Sequence, residues 1–140
     1  MLLYFDFVAT TSISLQWNST GITVGGTGFS GLADDQLNSA YGISFVSPNS
    51  LYIADESNHR IQKWLVGAVN GSTVAGLTNG TSGPSGLNST GLFNPRDVTL
   101  DSSGDLYIVD TSWNRVLYWP NGGSSGFAVA GQGKGHIFHE

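Results

Sequence analysis

Two apolar runs, GISFV (42–46) and LYIAD (51–55), are separated by the turn formers SPNS. Both are short and rich in aromatic and β-branched residues, so they predict an antiparallel pair of strands. HRIQKWLV (59–66) and STVAG (72–76) follow as a third and fourth strand, divided by the glycine-bearing GAVNG. LYIAD is apolar at positions facing both sides of a strand. That suits a sheet held between two neighbours better than a sheet with one wet face.

The same plan recurs. Residues 40–76 and 95–131 align without a gap at an offset of 55, and 13 of 37 positions are identical. They include Leu-Tyr-Ile, an aspartate (Asp55, Asp110), an arginine (Arg60, Arg115), a tryptophan (Trp64, Trp119) and a closing Val-Ala-Gly. Most other core positions exchange like for like, as Ile43 with Val98 and Ile61 with Val116. In the second copy the first turn is DSSGD, a hairpin loop with glycine. A partial copy precedes these: QWNSTGITVGG (16–26) resembles KWLVGAVNGSTVAG (63–76) with three residues deleted, which aligns Trp17 with Trp64. The repeats thus span 13–131, with outer strands of a partial blade at 13–26 and full units at 40–76 and 95–131. Segments 1–12 and 132–140 fit no unit and look like the edges of a fragment. The linkers 27–39 and 77–94 are rich in Gly, Ser, Asn and Thr and read as surface loops. Four short strands per unit of about 50 residues predict an all-β chain of four-stranded antiparallel β-propeller blades.

LYIADESNHRIQKW (51–64) and LYIVDTSWNRVLYW (106–119) resemble the core of the NHL repeat, and NPRDVTLDSSGDLYIVD (94–110) is similar to the opening of its blade. The resemblance covers about residues 13–131. It implies a partial arc of a six-bladed propeller, with ligands taken on one face of the ring or in its channel. There are departures. Trp113 stands where the first copy has Asn58 and so cannot repeat its side-chain amide contacts, Ala40 stands for Pro95, and Tyr41-Gly42 for Arg96-Asp97.

Composition narrows the function. The chain has 140 residues, enough for one domain at most, with 39% hydrophobic residues and 20 glycines. Five Lys and Arg against ten acids give a formal net charge of −5, which argues against a nucleic-acid partner. Without cysteine there is no disulfide framework and no thiolate site. No apolar stretch approaches the roughly 18 residues of a membrane span. MLLYFDFVATT at the start lacks the basic region of a signal peptide. Four sequons, at Asn18, Asn70, Asn79 and Asn88, fall in turn-like stretches and favour an extracellular, secreted glycoprotein.

Asp55, His59 and Arg60 could be a catalytic or metal-binding cluster, but Asp55 and Arg60 recur as Asp110 and Arg115. A catalytic site is normally single, whereas a structural device repeats with its unit. The acid ends one strand and the arginine begins the next, so a buried guanidinium can satisfy both carboxylate and turn carbonyls. His59, replaced by Asn114, is expected to hydrogen-bond the turn. Trp17, Trp64 and Trp119 share a register, which favours inter-blade packing with the indole N–H bonded to a neighbouring strand. Asp101 and Asp105 lack the alternating acids of a calcium loop and read as a hairpin turn. His136, His139 and Glu140 have no spacing of a known zinc motif. No metal or cofactor is expected.

Residues that differ between copies are the better candidates for recognition. Tyr41 and Arg96 occupy equivalent positions just after the linkers, where ring-face loops carry different chemistry on a common scaffold. The expected function is a non-enzymatic binding or scaffold module for a protein, peptide or glycan. The alternatives are part of a metal-dependent, peptide-amidating propeller lyase, which needs channel histidines from several blades, and an RNA-binding NHL domain, which needs a basic face. Two and a part blades cannot close a six-bladed ring. The remaining blades therefore belong to a longer parent chain, or copies of this chain associate.

Overall fold

The computed structural model describes residues 21–46 and 49–131. Residues 1–20, 47–48 and 132–140 lie outside the described residues, and with them Trp17, Asn18, His136 and His139.

The chain is all-β, in two antiparallel sheets. Strands β1 (Ala40–Val46), β2 (Ser50–Asp55), β3 (Arg60–Leu65) and β4 (Ser72–Gly76) form the first, in sequence order. The second contains β5 (Asn88–Ser89), β6 (Pro95–Leu100), β7 (Leu106–Asp110), β8 (Arg115–Trp119) and β9 (Gly126–Gly131), ordered β5-β9-β8-β7-β6. All four strands expected in each unit are present. β5 is an addition from the linker, which pairs Asn88 with Phe127 and Ser89 with Gly126 and so covers part of the β9 edge. Residues 21–26 carry no strand.

The register repeats down to its irregularities. Asp55 faces Arg60 across the β2–β3 pair, as Asp110 faces Arg115 across β7–β8. Each first strand has one extra residue near its start, at Tyr41-Gly42 in β1 and at Arg96 in β6. A second bulge interrupts each third-to-fourth strand pairing. The turn between second and third strands is a single 3-10 turn, Glu56–Asn58 or Thr111–Trp113, ended by His59 or Asn114 with φ of 55° and 50°. Asparagine tolerates this left-handed region better than most residues, which accounts for Asn114 independently of any ligand role. The closing glycine is needed for two reasons. Gly76 and Gly131 have φ of 93° and 75°, and a Cβ there would collide with the carbonyl oxygens of His59 and Asn114.

One core joins the sheets. Tyr52, Ala54, Ile61 and Ala75 on one face of the first sheet meet Leu92, Val98, Leu106, Ile108, Leu117 and Trp119 of the second. Period-2 alternation sends Leu51, Ile53 and Trp64 to the opposite face of the first sheet, where they pack with Leu37 and Ala68. Each Leu or Ile buried in this way contributes about 1.5–3 kcal/mol relative to exposure. The first strands of the two units approach closely: a Cβ at Gly42 of β1 would meet the backbone of Arg96 and Asp97 in β6.

Candidate functional site

Asp55 and Arg60 are both buried, and Arg60 Nε donates to Asp55 Oδ2 at 2.8 Å. The other carboxylate oxygen accepts from the Asn38 N–H at 2.7 Å. The Arg60 Nη2 donates to the carbonyls of Ala33 and Gln36 at 3.1 and 3.0 Å. The second unit repeats this. Arg115 Nε donates to Asp110 Oδ2 at 2.8 Å, the Phe93 N–H to Asp110 Oδ1 at 2.6 Å, and Arg115 Nη1 to the Gly86 carbonyl at 2.5 Å. Its Nη2 reaches the Pro84 carbonyl at 3.3 Å. The carbonyls expected from the turn belong to the preceding linker in both units. The pair is a clamp that fixes an otherwise irregular loop to the sheet it introduces. Both oxygens of each carboxylate are engaged, and both aspartates are fully buried, away from any substrate in solvent.

The residues around the first clamp have the same task. Asn58 Nδ2 donates to Asp55 Oδ2 at 2.9 Å and to the Gly31 carbonyl at 2.7 Å. His59 Nδ1 lies 3.1 Å from the Glu56 carbonyl in its own turn, as expected, and 3.2 Å from the Asn94 N–H of the second unit. A neutral nitrogen serves only one of these at a time, accepting from Asn94 or donating to Glu56. The His59 ring meets Phe93 edge-on, with centroids 5.2 Å apart, and Phe93 in turn packs on Trp113 at 5.4 Å. Among the described residues, no group of three or more His, Cys, Asp or Glu side chains is placed to hold a metal ion.

The tryptophans depart from expectation. Trp119 does lie in the core between the sheets, but its indole N–H donates to the Gly123 carbonyl of its own β8–β9 turn at 2.8 Å, not to a neighbouring strand. Trp64 is buried on the far face of the first sheet, and its N–H has no partner among the described residues. Ala68, which stands where Gly123 stands in the second unit, does not accept from it. Asp101 and Asp105 close the β6–β7 hairpin. Asp101 Oδ1 accepts from the Ser103 and Asp105 N–H groups at 2.9 and 3.1 Å. Asp105 accepts from the Asn121 N–H at 2.8 Å and from the Tyr118 hydroxyl at 2.7 Å. Those bonds hold the Asp105 carboxyl below its usual range, the backbone bond most, and the acceptor pushes the Tyr118 phenol up to about 12.

Tyr41 and Arg96, equivalent in sequence, meet in space. Each sits in the bulge of its first strand, a device that re-aims a side chain out of the sheet's alternation. The Arg96 guanidinium lies 4.8 Å from the centroid of the Tyr41 ring, and its Nε donates to Glu56 Oε1 at 2.7 Å. The hydrogen bond and charge of Glu56 raise the Arg96 pKa further, so it is a permanent cation. Tyr41 and Arg96 are exposed, whereas Glu56 is nearly buried. The Arg96 terminal nitrogens have no partner among the described residues. Sequence reasoning misses Glu56, although one signal marks it: its counterpart in the second unit is Thr111, so it too differs between copies. The sequon residues Asn70, Asn79 and Asn88 are all exposed. Asn79 Oδ1 accepts from the Thr81 hydroxyl at 2.7 Å and from its N–H at 3.1 Å.

The chain matches no protein-family model, and no curated protein shows significant similarity to it.

Proposed function

We propose that each sheet is a blade of an NHL-type β-propeller, that the two form a partial arc of a six-bladed ring, and that the chain is a non-enzymatic binding scaffold. The observation that carries this reading is a division of labour. The acids and arginines with catalytic appearance are repeated, buried and bonded to loops, while Tyr41, Glu56 and Arg96 are unrepeated and lie together where the two inner strands meet. Tyr41 offers an aromatic face, and Arg96, oriented by Glu56, offers planar N–H donors to a carbonyl or carboxylate of a protein, peptide or glycan. An extracellular setting and N-linked glycans at Asn70, Asn79 or Asn88 belong to the same proposal and are supported by the exposure of these residues.

The reading is tested by selecting a displayed peptide library and a glycan panel on the wild-type chain, then comparing binders on a Tyr41→Ala/Arg96→Ala variant with an unchanged far-UV spectrum. Ligands of this face bind the variant at least about tenfold more weakly, a loss of roughly 1.4 kcal/mol. Equal binding by both proteins, or no selected ligand at all, overturns it.

A further inference from the structure

The interface between the two sheets also shows what is missing at the two ends of the pair. Positions 55 residues apart have the same place in each sheet, yet their surroundings differ. Ala54 in β2 is completely buried under the second sheet, while its counterpart Val109 in β7 is 41% exposed. Tyr52, Ile61 and Ala75 are buried in the same interface, whereas their counterparts Tyr107, Val116 and Ala130 are only partly covered or exposed. Phe127 and Val129 extend this open face along β9. The opposite end is the complement. Val98 in β6 is 3% exposed because it packs onto the first sheet, while its counterpart Ile43 in β1 is 64% exposed. Phe45, counterpart of the core-packed Leu100, is exposed to the same degree.

We propose that a second copy of this chain packs head to tail on the open face of the second sheet, with Ile43 and Phe45 in β1 of one copy lying over Tyr107 and Val109 in β7 of the next. The occupant is identified by the interface already present within the chain. Val98 and Leu100 against Tyr52 and Ala54 are the two halves of one contact, and each end of the molecule presents one half of it unused. The part of the first sheet's far face at Trp64 is approached by Gly25, but at Ile43 and Phe45 it is uncovered among the described residues. β1 corresponds to β6, the strand through which the second sheet meets β1 and β2 of the first. Joining unlike faces is a heterologous contact. It continues from copy to copy until a ring closes or a filament grows, and two copies do not saturate it.

The test is sedimentation of the whole chain at tens of micromolar (about the range of weak specific contacts). The wild type is expected at two chain masses or more. Ile43→Glu removes one face and Val109→Glu the other. Both residues are exposed in the single chain, so each variant retains the far-UV spectrum and sediments as a monomer. Mixed, the two variants form a 1:1 complex that grows no further, because each supplies the face the other has lost. Ile43→Ser and Val109→Ser form a milder pair if either glutamate disturbs folding. A monomeric wild type, as expected if blades of a longer chain or an unrelated partner cover this face, overturns the proposal. So does association that neither variant abolishes, or a mixture that stays monomeric.

Discussion

Asn58 and Trp113 occupy the same place in their repeats and perform the same task with different chemistry. Asn58 donates an amide N–H to the Gly31 carbonyl at 2.7 Å, and Trp113 its indole N–H to the Gly83 carbonyl at 3.0 Å. Gly31 and Gly83 are themselves matched, since their N–H groups donate to the carbonyls of Leu37 and Leu92, also 55 residues apart. Only Asn58 has a further bond to its clamp aspartate. Asn58→Ala is therefore expected to cost more than Trp113→Phe. The first removes two bonds, one to a charged acceptor worth about 1.5–3 kcal/mol, and the second one neutral bond worth about 1 kcal/mol. Urea denaturation of both variants measures the difference, and a larger loss for Trp113→Phe contradicts the matching.

The two tryptophans provide an internal control. Trp119 and Trp64 are both fully buried, but among the described residues only Trp119 has an acceptor for its N–H. Phenylalanine removes the same volume from both sites. Trp119→Phe is expected to lose about 1 kcal/mol more than Trp64→Phe, because the latter also relieves an unsatisfied buried donor. Equal losses in denaturant titrations contradict this.

Much of this was legible in the sequence because the repeat made each position its own control. Strand positions followed from the apolar runs, and the structural character of Asp55 and Arg60 from their recurrence. Tyr41 and Arg96 are recognisable from the alignment of the two units as equivalent positions carrying different residues. Their contact was not legible, because it depends on two bulges and on Gly42 letting β1 approach β6. The clamp's true targets, carbonyls of linkers poor in hydrophobic residues, also left no mark in the pattern, and neither did β5. The indole partners were misplaced because register fixes which face a side chain takes and leaves open which way its N–H turns.

The closing glycines are predicted to be intolerant of a side chain. At Gly131 a Cβ meets the Asn114 carbonyl oxygen, and φ is in the left-handed region. Gly131→Ala should destabilise by about 1–3 kcal/mol, the usual cost of such strain. Gly122 has φ of 71° and open space around its Cβ, so Gly122→Ala carries only the backbone part of that cost. Thermal melts that rank Gly122→Ala as the more damaging change contradict the crowding at the β8–β9 end.

The Tyr118–Asp105 bond predicts a pH response at each end of the scale. Asp105 has a folded pKa below its usual value, so its contribution to stability is present above the ordinary carboxylate range and is lost as pH falls through the depressed value. Tyr118 has a folded pKa raised to about 12, so its contribution is present below the ordinary phenol pKa and is lost as pH rises through about 12. Phenolate absorbance, followed over the range where the far-UV spectrum is constant, should show a tyrosine titrating near 12. In Asp105→Ala that midpoint returns toward about 10. A late-titrating phenol that persists in Asp105→Ala contradicts the assignment.

The most direct measurement is a thermal melt of Arg115→Met beside that of Tyr41→Ala/Arg96→Ala. If the repeated ion pair is structural and the unrepeated pair is kept for recognition, Arg115→Met leaves Asp110 buried and unpaired and costs about 3–5 kcal/mol. The Tyr41/Arg96 variant, which removes a half-exposed arginine and leaves Glu56 at the surface edge, loses clearly less. An Arg115→Met chain as stable as the wild type, or a Tyr41/Arg96 variant as damaged as Arg115→Met, would reverse the two roles.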